Sequence, residues 1–432
     1  MTQPDNQGGY AGPIPGRQVP SAVRRLIDAE VSGGVVLLAA AIVAMVWANS
    51  PWKGGYETLW HTEVSVGVGR FILREDLRHW VNDALMTIFF LVVGLEIKRE
   101  LVDGDLRDPR TAAMPAIAAV GGMVVPALLY VLVTGGGAGA RGWGIPIATD
   151  IAFSVGVVAL LGSRVPASLK LFLLTLSIVD DIGAIIVIGA FYSSDLRPAM
   201  LGVAGLIVLV IVALRRHGVL WVLPYVVLGA ALWLATYASG VHATIAGVVL
   251  GLLAPATASA PASVARRWAA DMRDEASAAE LKDLTRLARH AVSPAERIGH
   301  LLQPWTSLVV VPLFALANAG VTVKAGALDA PGAMAVGAGI IVGLVVGKTV
   351  GIAGAAWLAV RTGVAQLPEA TSWPMIVAVA GVAGIGFTVS LFVAELAFDA
   401  GALQEAAKLG VLTGSLLAAI LGGAALRRAC RA

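Results

Sequence analysis

Apolar runs of about twenty residues recur along nearly the whole chain, separated by short polar or Gly/Pro-rich breaks. At 1.5 Å of rise per residue, such a run makes a helix long enough to cross a bilayer's hydrocarbon core. Twelve spans follow, at 31–49, 79–97, 112–134, 143–162, 168–192, 199–214, 218–237, 241–254, 299–320, 333–358, 374–398 and 406–425. The pattern predicts an all-α polytopic membrane protein. Between the first two spans the period changes. In "HTEVSVGVGRFIL" (61–73), Val64, Val66 and Val68 alternate with Ser and Gly, the period of a strand. A short extracytoplasmic β-hairpin within 56–73 is expected, with an ordinary surface loop as the alternative. Its exposed edge would be able to pair with a partner's.

Two spans are interrupted. "WGIPIATDIAFSV" (143–155) carries Pro146 and the polar Thr149–Asp150 pair, and "VAGVAGIGFTVS" (379–390) carries Gly381, Gly384 and Gly386 with Thr388 and Ser390 just beyond. Broken helix at membrane depth is tolerated where the backbone lines a cavity or is buried in protein. One broken segment in each half points to the binding site of a transporter built from inverted repeats.

Composition agrees with a membrane setting: 58% of residues are hydrophobic and 14% charged, against about 25% charged in soluble domains. The lone Cys430 rules out an intrachain disulfide or a cysteine metal site. The net charge of +3 is no nucleic-acid signal, since loop arginines first serve orientation. Residues 1–20 read as a disordered tail, and the apolar core starts too late for a cleavable signal peptide. "SAVRRLIDAE" (21–30) suits a short interfacial helix. The 255–298 loop holds Arg266, Arg267, Arg273, Lys282, Arg286, Arg289 and Arg297, and the 426–432 tail is also basic. Both belong on the cytoplasmic side, with both termini inside.

The mid-membrane charges are Asp150, Asp180, Asp181 and Lys348. A charge at that depth costs roughly 2.5–3.5 kcal/mol on insertion scales. Three carboxylates against one ammonium do not cancel. One acid can pair with Lys348, and at least one other needs a cation or a proton, which is the requirement of a cation/proton exchanger. Neighbours on a helix point about 100° apart, so one of Asp180 and Asp181 is expected to face Lys348 and the other an ion cavity. Hard oxygen ligands suit Na⁺ or Li⁺, and Thr149 with the loosened backbone can add more. Asp150 would offset positive helix N-termini and Lys348 negative C-termini.

The motifs "ATDIAFSVGVVALLGSRVP" (148–166), "LSIVDDIGAIIVIGAFY" (176–192), "GLEIKREL" (94–101), "SGVHATIAG" (239–247), "PLFALANAGV" (312–321) and "GIGFTVSLF" (384–392) resemble the NhaA-type Na⁺/H⁺ antiporters of bacteria. The resemblance runs from about 22 to 425, the twelve-span unit being 21–425. That family is itself a standing example of the inverted-repeat architecture, so this part of the expectation is inherited. The resemblance implies repeats formed by spans three to five and ten to twelve, with crossing broken helices in the fourth and eleventh. It assigns Asp180 and Asp181 to cation and proton binding, with Asp181 the direct Na⁺ or Li⁺ ligand. It pairs Lys348 with Asp180 and puts Thr149 and Asp150 at the crossing. Glu96, Arg99 and Glu100 would form a pH-responsive cluster, with His242 and His300 as candidate modulators. Gly299 and Gln303 depart from the family pattern, where some members carry an acid and a second histidine. Also implied are electrogenic, pH-regulated exchange by alternating access, a bacterial plasma-membrane location, a homodimer through the hairpin, and no cofactor beyond the transported ions. The rivals are an intramembrane aspartyl protease using Asp150 with Asp180 or Asp181, whose Gly-x-Gly-Asp signature is missing, and a cation channel.

Overall fold

The computed structural model describes residues 21–68, 71–219, 222–257, 291–322 and 330–431. The expected tail 1–20 and most of the basic loop, 258–290, lie outside the described residues. Among the described residues, seven helices are long and apolar enough to cross a membrane, or up to ten if each bent pair is one span. Two shorter apolar helices add to these, and the rest is connection plus one two-stranded sheet.

The chain opens with α1 (Ser21–Ala48), which runs through 21–30 without a break, so no separate interfacial helix forms there. It turns sharply into the short α2 (Lys53–Trp60), 115° from it. Strands β1 (Glu63–Val68) and β2 (Phe71–Asp76) then pair antiparallel, Val64 opposite Glu75 and Val66 opposite Leu73. The hairpin therefore occupies 63–76, not 56–73: Tyr56–Trp60 is helix, because the Val/Gly alternation starts only after Thr62. Asp76 ends β2 and caps the next helix, accepting from the His79 amide at 2.8 Å. Its partial burial opposes ionisation, but the His79 amide and ring and the His61 ring outweigh that and hold its pKa below the ordinary value.

Next come α3 (Leu77–Val102) and α4 (Pro109–Thr134). The latter starts where Asp108 accepts from Arg110 and Pro109 sits at the first position, and it ends at left-handed Gly135. A 3₁₀ segment (Gly137–Ile147) leads to α5 (Ile151–Leu160), followed by α6 (Ala167–Phe191), α7 (Pro198–Arg216), α8 (Val222–Ala238) and α9 (Thr244–Leu253). After the basic loop, "SPAE" starts α10 (Pro294–Asn318), the Ser293 hydroxyl accepting from the Glu296 amide. The bundle closes with α11 (Ala333–Arg361), α12 (Trp373–Val382), α13 (Phe387–Ala397) and α14 (Ala402–Ala429).

Small residues set the helix contacts, as they do where no hydrophobic force separates helix from lipid. α4 and α11 touch through Gly121 and Gly351, where a Cβ on either would strike the other's carbonyl. α7 lies at the opposite extreme, with Leu201, Leu206 and Leu209 all exposed. Among the described residues, three helices contain a π-helical turn: α3 at Trp80–Leu85, α10 at Thr306–Val310, and α11 at Gly343–Gly347, directly before Lys348. Such turns concentrate at functional sites, and two of these three adjoin the residues described next.

Candidate functional site

Two interrupted helices meet at the centre. The 3₁₀ segment and α5 bend by 50° across Ala148–Asp150, and α12 and α13 by 48° across Ala383–Gly386. Each break satisfies the other's polar groups. The Asp150 amide donates to the Ile385 carbonyl at 2.6 Å, Thr149 Oγ1 to the Ala383 carbonyl at 2.8 Å, and Ser390 Oγ to the Ile145 carbonyl at 2.7 Å. Ser415 Oγ of α14 accepts from the Gly386 and Phe387 amides. Only glycine fits at 386, where a Cβ would crowd Ser390 Oγ and come within 3.1 Å of the Ala148 carbonyl.

The crossing brings two helix N-termini, those of α5 and α13, onto one carboxylate. Asp150 Oδ1 accepts from the Phe153 amide at 3.1 Å, and Oδ2 from the Thr388 amide and hydroxyl at 3.0 and 2.6 Å. An anion there meets the positive ends of both peptide dipoles. The Lys348 ammonium donates to Asp180 Oδ2 at 2.5 Å, with both side chains fully buried.

Asp180 Oδ2 is also 2.7 Å from Thr149 Oγ1. The threonine hydroxyl has one proton and two acceptors, Asp180 and the Ala383 carbonyl. This hydroxyl therefore links the charge pair to the helix crossing. Asp181 points elsewhere. It is 6% exposed, has no hydrogen-bond or ion-pair partner among the described residues, and stands on the wall of a cavity of about 90 Å³. Asp150, Thr149, Thr388, Glu96 and Gln303 share that wall. Asp181 thus shares its cavity with the hydroxyls of Thr149 and Thr388, the Gln303 amide and the acids Asp150 and Glu96.

A second cavity, of about 40 Å³, is lined by Arg99, Glu296 and His300 at the ends of α3 and α10. Val92, Glu96 and Gln303 line both cavities. They form the neck between the surface and Asp181. Arg99 Nη2 is 3.7 Å from Glu100 Oε1, and Glu100 Oε2 accepts from the Asp105 amide. Gly299 lines the outer cavity. His242 is not part of this assembly: its ring is 2.7 Å from the Tyr192 carbonyl and lines neither cavity.

Two features escaped sequence reasoning. Thr388 showed only as a polar residue after a glycine-rich break, and nothing local ties it to Asp150, 238 positions away. A second buried ion pair joins Glu395 to Lys408, with Gln404 bonded to Glu395 and to the Phe398 carbonyl. Glu395 in "LFVAELAF" and Lys408 in "EAAKLGVL" were the available signal. Both sit near span ends, where a charge is usually solvated.

The family described as Na⁺/H⁺ antiporter 1 matches residues 24–426. The chain is 46% identical over 412 residues to "Na(+)/H(+) antiporter NhaA 3" of Frankia alni, covering 95% of this chain and 89% of that protein. It is 45% identical over 408 residues to an NhaA antiporter of Rhodopirellula baltica, covering 92% of each. Among solved structures, the sodium proton antiporter MjNhaP1 from Methanocaldococcus jannaschii superposes with a TM-score of 0.53 at 14% identity, over 95% of this chain and 98% of that one, a likeness of fold. With nearly its whole length matched, the chain is a multi-pass membrane protein that belongs to the Na⁺/H⁺ antiporter 1 family, a family of transporters and not of enzymes.

Proposed function

We propose that this protein is an electrogenic exchanger of cytoplasmic Na⁺ or Li⁺ for external H⁺, working by alternating access around Asp180 and Asp181 in a bacterial plasma membrane. One observation carries the reading: Asp181 stands unpartnered on a cavity that leads to the surface, beside an Asp180 held by Lys348. An unpaired carboxylate away from bulk water needs a cation or a proton. Competition of the two for one site, reached alternately from either side, is exchange. Carboxylate and hydroxyl oxygens suit a hard monovalent cation. A second carboxylate that Lys348 can release lets more than one proton move per cation, which makes the cycle electrogenic.

The architecture is read as twelve spans with both termini cytoplasmic. α8 and α9 count as short spans, the bent pairs at 137–160 and 373–397 as one each, and α2 as a surface helix. Support for inverted repeats comes from the likeness of 109–191 to 333–429, each a long helix, a broken one and another long one. Glu96, Arg99, Glu100 and His300 at the cavity mouth are the pH-responsive candidates, and His242 is a more remote one. The lipid bilayer covers exposed apolar helices such as α7. A homodimer would form through the hairpin, whose Val66 and Ile72 are exposed.

Against a protease dyad, both Asp150 oxygens are committed to Phe153 and Thr388 donors, whereas a dyad needs two carboxyls sharing a proton. A channel would not move protons uphill. The test is reconstitution into proteoliposomes with an acidic lumen, adding Na⁺, Li⁺ or K⁺ outside in turn. Na⁺ and Li⁺ should raise the lumenal pH, faster when an imposed potential favours net charge movement. No pH change with either ion would sink the antiporter reading, and indifference to the potential would sink electrogenicity.

A further inference from the structure

Away from the ion site, titratable side chains gather at the stem of the hairpin, where α2, β2 and α3 meet. Asp76, the last residue of β2, stands between two histidines. His61 Nδ1 is 3.1 Å from its Oδ2, and His79 Nδ1 is 2.7 Å from its Oδ1. His61 closes α2 and His79 lies in the first turn of α3, so one carboxylate joins three elements. Both imidazole side chains are 61% exposed and exchange protons with solvent. Asp76 is 16% exposed and stays ionised, its pKa held below the ordinary value. Three further bonds tie the hairpin to the bundle. The Trp80 indole donates to the Val64 carbonyl at 3.0 Å, the Leu77 amide to the Thr62 carbonyl at 3.1 Å, and the Tyr237 hydroxyl of α8 to Glu75.

The stem is rich in acid. Glu63 of β1 lies directly opposite Asp76 in the ladder, and like charges so placed repel. Glu75 of β2 and Asp83 of α3 also act on His79, and Glu57 lies one turn before His61 on α2. Of the nearby arginines, Arg74 stands opposite Ser65 and Arg78 faces Tyr56. An imidazole ordinarily takes up its proton near pH 6.5. Below that, each histidine contact becomes an ion pair with Asp76. Above it, a neutral ring leaves at most a hydrogen bond, and the repulsion between Glu63 and Asp76 goes unopposed. The helix dipole disfavours a cation in the first turn of α3, but Asp76 caps that same turn and offsets it. We propose that His61, Asp76 and His79 form an acid-strengthened clasp that holds the hairpin against α3, so that hairpin order follows the pH of the face it stands on. The stabilisation is full while both rings are charged and Asp76 is ionised. It is lost as pH rises through the imidazole range, and lost again only in acid strong enough to protonate Asp76.

The clasp does not depend on the exchange reading, and its test needs no transport. Hydrogen exchange of the full chain in detergent micelles, corrected for intrinsic rates, reads the amides of β1 and β2 between about pH 5 and 8. Their protection should fall about three- to tenfold from the acid to the alkaline end, the effect of one or two exposed ion pairs. Amides of α4, remote from the clasp, should stay level. His61→Gln and His79→Gln keep a donor without the charge. Each should flatten part of the slope, and the double variant should sit at the wild type's alkaline level throughout. Asp76→Asn keeps a helix cap and should remove the slope as well. A level profile in the wild-type chain, or a full slope in the double variant, would overturn the clasp. So would an equal slope in α4, because the event would then be global and not the hairpin's own.

Discussion

Asp180 and Asp181 are adjacent in sequence and opposite in circumstance. One is locked to Lys348, and the other faces a cavity with no partner. Asp181→Asn keeps the shape and removes the charge, so the variant should insert and fold yet lose Na⁺ binding and the linked proton release together. Asp180→Asn should leave residual cation binding, and Asp150→Asn should impair transport more mildly, since its carboxylate caps helices. Calorimetry in two buffers of different ionisation enthalpy reads both quantities. Retained Na⁺ binding with the same proton release in Asp181→Asn would remove the aspartate pair from the mechanism. Lys348→Ala leaves Asp180 as an uncompensated buried charge, a loss of about 3–5 kcal/mol. Thermal unfolding in detergent should show a large drop, and an unchanged melting temperature would mean the pair contributes little.

At the scale of elements, the broken helices matter more than the continuous ones, because the crossing aims two helix N-termini at one acid. Gly384 is tightly enclosed there: a Cβ would run into the Leu344 carbonyl and come within 3.1 Å of Ala418 Cβ. Gly384→Ala should cost about 1–3 kcal/mol by overpacking and depress exchange, since the crossing must shift to admit the methyl. Gly354, on the same α11 that supplies Lys348, has nothing within 4 Å of an added Cβ. Gly354→Ala should be neutral or slightly stabilising. Equal melting temperatures for the two variants would contradict the packing described. The broken helices were legible in sequence as Pro146 with a polar pair and as a glycine cluster. Their mutual satisfaction was not, because a break shows only that backbone groups are freed and never where they find partners.

Among the described residues, the cavity at Asp181 shares Val92, Glu96 and Gln303 with the cavity toward Arg99 and His300. Near the hairpin, Asn82 of α3 and Asn318 of α10 exchange amide hydrogen bonds. A single native cysteine makes sidedness easy to measure. With Cys430→Ser as background, Thr306→Cys on the cavity wall should react with a small charged thiol reagent from the face bearing Arg99 and His300. It should react slowly from the hairpin face. Faster reaction from the hairpin face would reverse the sidedness assigned to this conformation.

The sequence by itself determined the membrane class, the apolar helices, the two interruptions and the set of buried charges at the centre. These are local properties: hydropathy, helical period and the cost of burying a charge can be read within one segment. It also required that three acids and one lysine leave a site for an ion. Residue patterns left open which acid takes Lys348, 168 residues away, a pairing only the resemblance implied, and only the tertiary structure put Glu96, Asp150 and Asp181 on one cavity and gave Asp150 to two helices at once. It alone revealed the Glu395–Lys408 pair. The reason is rotational. Hydropathy fixes how deep a residue sits along a helix, but the direction its side chain takes around that helix is set by packing against neighbours far away in the chain.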